Sequence, residues 1–293
     1  MAYDISQCLV IGISSRALFD LDEENKIFEE QGLNAYRQYQ LNHEHDILKP
    51  GSGFELVKLL LSLNEKTGRK IVEVLIMSRN SADTSLRIFN SISHYQLDIT
   101  RAVLTGGASL SDYLTCFNVD LFLSAHEGDV ANAIKDGFAA GLITTGFNST
   151  LSKRDDMIRI AFDGDAVLFS DEAEQIYQKD GLDAFVEHER KNAQLNLPKG
   201  PFAKLLKTIS DLQKEHGSFI RTALVTARNA PAHERVINTL RAWDVSIDEA
   251  FFLGGISKKE VLRAFGANIF FDDQKTHIER ACDVVPSAQV IYK

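Results

Sequence analysis

The sequence predicts an α/β protein made of two tandem modules with parallel sheets, the second carrying a small helical cap insertion. Three observations predict it. Short apolar runs bounded by turn residues alternate with longer stretches of helical period, the pattern of strands joined by crossover helices. Four sequence stations of the second half recur in the first in the same order. Each apolar run of the second half also ends at a residue with a reactive side chain, where open α/β sheets bind their ligands.

Taken in order, the first-half strands are expected over Cys8–Ile13, Val72–Met77 and Asp120–Leu123, and those of the second over Met157–Phe162, Thr222–Val225 and Ala267–Phe271. Each is a short run rich in branched or aromatic apolar residues, long enough for a buried strand and too short for a helix. The small polar stretch Asn148-Ser149-Thr150, after the run Gly137–Phe147, divides a first module, 1–149, from a second, 150–293. Between the first and second strands of the second module lies a polar, helix-rich stretch, about 171–217, too long for a simple crossover and placed to act as a lid. Its Phe185-Val186-Glu187-His188-Glu189 and Gly200-Pro201-Phe202 are echoed by Gln40-Leu41-Asn42-His43-Glu44 and Pro50-Gly51-Ser52-Gly53-Phe54.

The repeat is sharpest at the strand ends. Asp163-Gly164-Asp165, Thr226-Ala227-Arg228, Gly254-Gly255-Ile256-Ser257-Lys258 and Asp272-Asp273 are answered by Ile13-Ser14-Ser15, Met77-Ser78-Arg79, Gly106-Gly107-Ala108-Ser109-Leu110 and Ser124-Ala125, at offsets of 150, 149, 148 and 148. At each matched position the reactive side chain of the second half is replaced by an inert one: Asp163 by Ile13, Asp165 by Ser15, Thr226 by Met77, Lys258 by Leu110, Asp272 by Ser124. The first module is therefore expected to lack the chemistry of the second.

Composition narrows the function. With 293 residues, 44% of them hydrophobic, both modules can bury a core. A net charge of −9 argues against a nucleic-acid polymer or an anionic membrane as partner. No apolar stretch has the length of a membrane span, and the start lacks a leader pattern, so a cytoplasmic protein is expected. The three cysteines, Cys8, Cys116 and Cys282, form no ligand pattern and are read as small buried hydrophobes.

The four carboxylates Asp163, Asp165, Asp272 and Asp273, crowded at strand ends, repel one another unless a cation is present. Oxygen ligands with no cysteine or histidine at ligand spacing favour Mg²⁺. The metal, Lys258, Thr226 with its neighbour Ala227, and backbone N–H groups of the loop that begins at Gly164 would hold a phosphoryl group. Asp163 is placed to attack phosphorus, and Asp165 to protonate the leaving oxygen and then activate water, so the expected reaction is phosphomonoester hydrolysis. Arg228 is read two ways, as a phosphate contact or as an ion pair. His43-Glu44-His45 and His188-Glu189 lack a metal pattern and are read as packing groups, as are Phe169, Phe185 and Phe202.

The order Asp-x-Asp, Thr, Lys, Asp-Asp resembles the haloacid dehalogenase superfamily of phosphatases, with Ala166-Val167 departing from the usual residues after the second aspartate. The resemblance implies a Rossmann-like fold, the nucleophile at Asp163, the acid/base at Asp165, and Mg²⁺ ligation by Asp163, Asp272 and the main-chain carbonyl of Asp165, with Asp273 beside the metal. More narrowly, Ser14-Ser15-Arg16-Ala17-Leu18-Phe19, Ile92-Ser93-His94-Tyr95, Ala161–Glu172, Val225-Thr226-Ala227-Arg228 and Phe270–Gln274 are similar to the type I cytosolic 5′-nucleotidases. That resemblance implies a nucleoside 5′-monophosphate substrate, AMP or a deoxynucleotide. It also leaves room for a nucleotide effector and for a homo-oligomer.

Two rivals stay open, a phosphatase for another small phosphomonoester such as a sugar phosphate, and a nucleotide sensor without catalysis. The first module is read either as scaffold that completes the cleft or an oligomer interface, or as a regulatory pocket in which Ser15, Arg16, Ser78 and Arg79 bind a nucleotide without cleaving it.

Overall fold

The first apolar run becomes β1 (Leu9–Ile13), buried along its whole length, as a strand covered on both faces must be. A computed structural model describes residues 5–143, 157–217 and 219–292. After β1 come α1 (Ser15–Leu18), α2 (Asp22–Asn42), α3 (Phe54–Thr67), β2 (Val72–Ser78), α4 (Leu86–His94), β3 (Arg101–Leu104), α5 (Ser111–Cys116), β4 (Leu121–Ser124), α6 (Glu127–Lys135) and β5 (Ala139–Ile143). The second half runs β6 (Ile158–Phe162), α7 (Glu172–Lys191), α8 (Ala203–His216), β7 (Ile220–Thr226), α9 (His233–Ala242), β8 (Glu249–Phe252), α10 (Lys259–Phe265), β9 (Ile269–Asp272), α11 (Lys275–Ala281) and β10 (Ser287–Gln289).

These strands make one sheet where the sequence suggests two. Its order is β3-β2-β1-β4-β5-β10-β9-β6-β7-β8. Every neighbouring pair is parallel except β5 and β10, which run antiparallel through Ala288 opposite Ile143 and Gln289 opposite Leu142. Each half would otherwise leave its fifth strand as an open edge, and pairing the two edges satisfies both rows of backbone groups. The seam is tight: a Cβ on Gly141 would lie 2.8 Å from the Ala288 methyl carbon, so glycine permits the approach.

The antiparallel seam reverses the strand direction between the halves. The carboxyl ends of β1, β2 and β4 therefore lie at the opposite end of the sheet from those of β6, β7 and β9. The expectation that the first half completes the catalytic cleft meets this topology and fails for its strand ends.

Backbone details recur between the halves. Gly32 (φ 83°) interrupts α2 as Gly181 (φ 82°) interrupts α7, and the pairs Gly106-Gly107 and Gly254-Gly255 are all left-handed. Phe19 bridges Pro50 as Phe169 bridges Lys199. At this register Glu189 corresponds to Gln40, both buried, so His188 matches Tyr39, and the sequence echo between His188 and His43 is displaced.

The stretch 171–217 divides into two unlike helices. Helix α8 buries Leu205, Leu206, Ile209 and Leu212 against the sheet, so it belongs to the covering layer. Helix α7 buries only Ala173, Phe185 and Glu189. The expected boundary at 148–150 lies outside the described residues, and the run 137–147 yields β5 within its described part. Cys8 is buried as expected, but Cys116 is exposed and Cys282 half-buried, each near the end of a surface helix.

Candidate active site

Asp163 directly follows β6, and its N–H donates to the Phe271 carbonyl at 2.8 Å, tying the ends of β6 and β9 together. The chain then makes a single wide turn over Gly164–Leu168, closed by the Phe169 N–H on the Gly164 carbonyl at 2.9 Å. Ala166 stands in the left-handed region at φ 59°, a conformation that costs a non-glycine residue on the order of 1 kcal/mol. A Cβ on Gly164 would approach Thr226 Oγ1 to 3.2 Å, so glycine lets this turn lie against the end of β7.

Around the turn the structure gathers the predicted side chains. The Gly164 N–H donates to Asp163 Oδ1 at 2.7 Å. Lys258, immediately before α10, sends its ammonium to Asp163 Oδ2 at 2.8 Å and Asp272 Oδ2 at 2.7 Å. Thr226, the last residue of β7, is buried, and its Oγ1 accepts the Arg228 N–H at 3.2 Å. Asp272 ends β9, with Oδ1 accepting the Gln274 N–H at 2.8 Å. The Asp273 carbonyl accepts from Gln289 Nε2 at 3.1 Å. Asp163, Asp165, Thr226, Ala227 and Asp273 line a common cleft with Glu174, Gln274 and His277.

The charges are out of balance. Burial pushes Asp163 up to about 7, with Lys258 pulling it down and Asp272 pushing it further up. Burial, then the charges of Asp163 and Asp272, push Asp273 up to about 8. Burial opposes ionisation of Asp272 too, yet His277 and Lys258 hold it below the ordinary carboxylate value. Lys258 is raised, because its two carboxylates outweigh the burial that disfavours its charge. Two carboxylates thus share one ammonium with a third, Asp273, close enough to be raised by both, a donor set short of positive charge and suited to a divalent cation.

Sequence reasoning missed one member of this set. His277 Nδ1 lies 3.1 Å from Asp272 Oδ2, and Asp163, Asp272 and His277 can each offer a ligand atom within 4.8 Å of the others. The signal was the histidine's place in the first turn of the helix after β9, which faces back over the strand end. Asp165 and Asp273 stand outside that trio, Asp273 on the cleft wall and Asp165 turned to a different partner.

That partner is Arg228. Its Nε and Nη2 donate to the two carboxylate oxygens of Asp165 at 2.8 and 2.7 Å, and its Nη1 donates to Glu189 Oε2. The Phe185 ring lies 5.4 Å from the guanidinium. Arg235 completes the cluster, donating to Glu189 Oε1 at 2.8 Å. Arg228 thus stands in a buried ion pair, one of its two readings. Phe169 and Phe202 are fully buried, as packing residues should be. His43 caps α2 through Tyr39 O at 2.8 Å, and His188 packs against Asn192.

In the first half Ser15 Oγ lies 3.0 Å from Ser78 Oγ, and Arg16 pairs with Asp22 at 3.0 Å. Arg79 donates to the Gly107 carbonyl at 2.7 and 3.1 Å. Arg79 also lies 3.7 Å from Asp129 Oδ1, so the two serines engage each other and the two arginines engage aspartates and the backbone.

A family model described as 5'-nucleotidase matches residues 1–293. The chain is 38% identical over 287 residues to human cytosolic 5'-nucleotidase 1B, covering 93% of this chain and 47% of that protein. It therefore spans about half the length of that curated relative. No solved structure matches. No helix among the described residues is long and apolar enough to cross a membrane. Matched from end to end by the family model, the chain belongs to the 5'-nucleotidase family.

Proposed function

We propose that the chain hydrolyses nucleoside 5′-monophosphates, AMP or a deoxynucleotide, to nucleoside and phosphate with Mg²⁺ as cofactor. The observation that carries this reading is the Lys258 ammonium held between Asp163 and Asp272 at the ends of adjacent strands, beside the Thr226 hydroxyl. The second half acts as a haloacid-dehalogenase-like catalytic module, with α7 as its cap, and the first half as a copy without the reactive groups.

Asp163, Asp272 and the main-chain carbonyl of Asp165 would hold the metal, with Asp273 and His277 beside it. Bound there, Mg²⁺ supplies positive charge that keeps Asp163 ionised and neutralises phosphoryl oxygens. Lys258, Thr226 and the N–H groups of the Gly164 turn and of Ala227 hold the phosphoryl group in line with Asp163. Asp165, paired with Arg228 as a carboxylate, first takes up a proton from solvent; Asp163 then attacks phosphorus as the bond to the 5′ oxygen breaks, and Asp165 delivers that proton to the leaving oxygen. The resulting aspartyl-phosphate is attacked by water, whose proton passes to Asp165 and back to solvent, so phosphate leaves and both aspartates return to their starting states.

The test is phosphate release from a panel of nucleoside monophosphates and sugar phosphates with Mg²⁺, for wild type and Asp163→Asn. Release from nucleotides alone, abolished by the substitution, supports the reading. Release mainly from sugar phosphates moves the substrate class, and nucleotide binding without release refutes catalysis.

A further inference from the structure

We infer that Arg228, anchored by Glu189 of α7, is a positioning residue that aims the Asp165 carboxyl for proton transfer. The inference rests on the acid/base reading of Asp165 given above. Both Asp165 oxygens are held by one planar guanidinium, at 2.7 and 2.8 Å, so the carboxyl is fixed in direction as well as in place. The guanidinium itself has little freedom. Its side chain is 2% exposed, its third nitrogen is held by the fully buried Glu189, and Arg235 grips the other oxygen of Glu189. The Arg228 backbone N–H also orients the Thr226 hydroxyl at 3.2 Å.

The first half supplies an internal comparison. Arg87, 148 positions before Arg235, keeps a buried partner in Glu24 and donates from Nε to the Asp46 carbonyl at 2.9 Å. Arg235 Nε does the same to the Leu195 carbonyl at 2.9 Å. That part of the cluster persists without a reactive aspartate, so it serves the fold. Ser15 replaces Asp165, Gln40 replaces Glu189, and Arg79, the match of Arg228, is 43% exposed and turns to the Gly107 carbonyl. The clamp is absent where the acid it would aim is absent. Glu189 further joins the clamp to α7, the same helix that brings Glu174 to the cleft wall, so the seating of α7 and the aim of Asp165 are mechanically linked.

An acid needed for a poor leaving group matters less for a good one, and that difference separates positioning from general support of the fold. Arg228→Gln, and Arg228→Lys, which keeps the charge but loses the two-pronged contact, are assayed with Mg²⁺ on AMP and on p-nitrophenyl phosphate, beside Asp165→Asn. The expected result is that kcat for AMP falls about 100-fold in both Arg228 variants while KM changes little, and that kcat for the aryl ester falls less than about tenfold. Asp165→Asn should show the same split between substrates. Equal losses on both substrates in the Arg228 variants, with the split present in Asp165→Asn, would overturn the positioning role alone. No split in Asp165→Asn overturns the acid/base reading and this inference with it. If Arg228→Gln does not fold, Arg228→Lys decides by the same criterion.

Discussion

Replacing Lys258 by methionine keeps most of the side-chain volume and removes the ammonium between Asp163 and Asp272, contacts of 2.8 and 2.7 Å. The lysine side chain is 5% exposed and its partners 8% and 0%, so water cannot replace it. Breaking a buried ion pair by removing one partner costs about 3–5 kcal/mol, which in a chain of 293 residues lowers Tm by about 5–8 °C. The loss depends on pH, with a definite sign. Folding raises the Asp163 pKa to about 7 from its ordinary value of 3.8, so the folded state holds this proton more tightly than the unfolded chain. The stability tied to that proton is fully present below about pH 4 and is lost as pH rises through about 7. At pH 6 Asp163 is largely neutral with or without the lysine, whereas at pH 8 wild type carries a paired carboxylate and the variant, lacking the ammonium that pulls Asp163 down, keeps that group protonated and forgoes the pair. Calorimetry in EDTA should therefore show a Tm deficit at pH 8 roughly twice that at pH 6. A deficit under about 3 °C at pH 8, or a larger one at pH 6, refutes the reasoning.

Three further outcomes are expected. Asp273→Asn removes a carboxyl whose pKa is pushed up to about 8; because a raised acid costs stability above its folded pKa, metal-free Asp273→Asn should melt a few degrees above wild type at pH 9 yet bind Mg²⁺ more weakly by titration calorimetry. Gly200→Ala places a Cβ 2.4 Å from the Phe169 carbonyl and 2.5 Å from that of Val167, whereas Gly51→Ala meets the Phe19 backbone at 2.8 to 2.9 Å; both should lose about 1–3 kcal/mol in urea unfolding, and only Gly200→Ala, which displaces the turn after Asp163, should also lower phosphate release. Mg²⁺ should raise the Tm of EDTA-treated protein in proportion to log concentration above its Kd, and Asp272→Asn should abolish that rise.

The strand ends were legible because strand-forming runs and the residues that follow them are local signals. Asp163, Thr226 and Asp272 each sit where an apolar run stops, and a parallel sheet converts such stops into neighbours. Strands β3 and β8 were missed because edge strands are only partly covered and carry little alternation. β10 was missed because its three residues form a strand only through their partners. His277 was missed because a ligand spacing rule assumes contiguous ligands, while here a helix start folds back onto a strand end.

The sequence by itself determined the α/β class, the order of the acidic, threonine and lysine residues and their replacement at the first half's matched positions, since each follows from residue type and local period. Tertiary structure alone decided three matters. Edge pairing of β5 with β10 joined the halves into one sheet and sent their strand ends in opposite directions. The crowding of Asp163, Asp272 and Asp273 near Lys258 and His277 raised two of these carboxyl groups and lowered the third. The packing of α7 against the β7 end brought Glu189 to Arg228 and, through it, to Asp165, groups separated by 39 and 63 positions, and no local pattern encodes contacts between side chains so far apart in the chain.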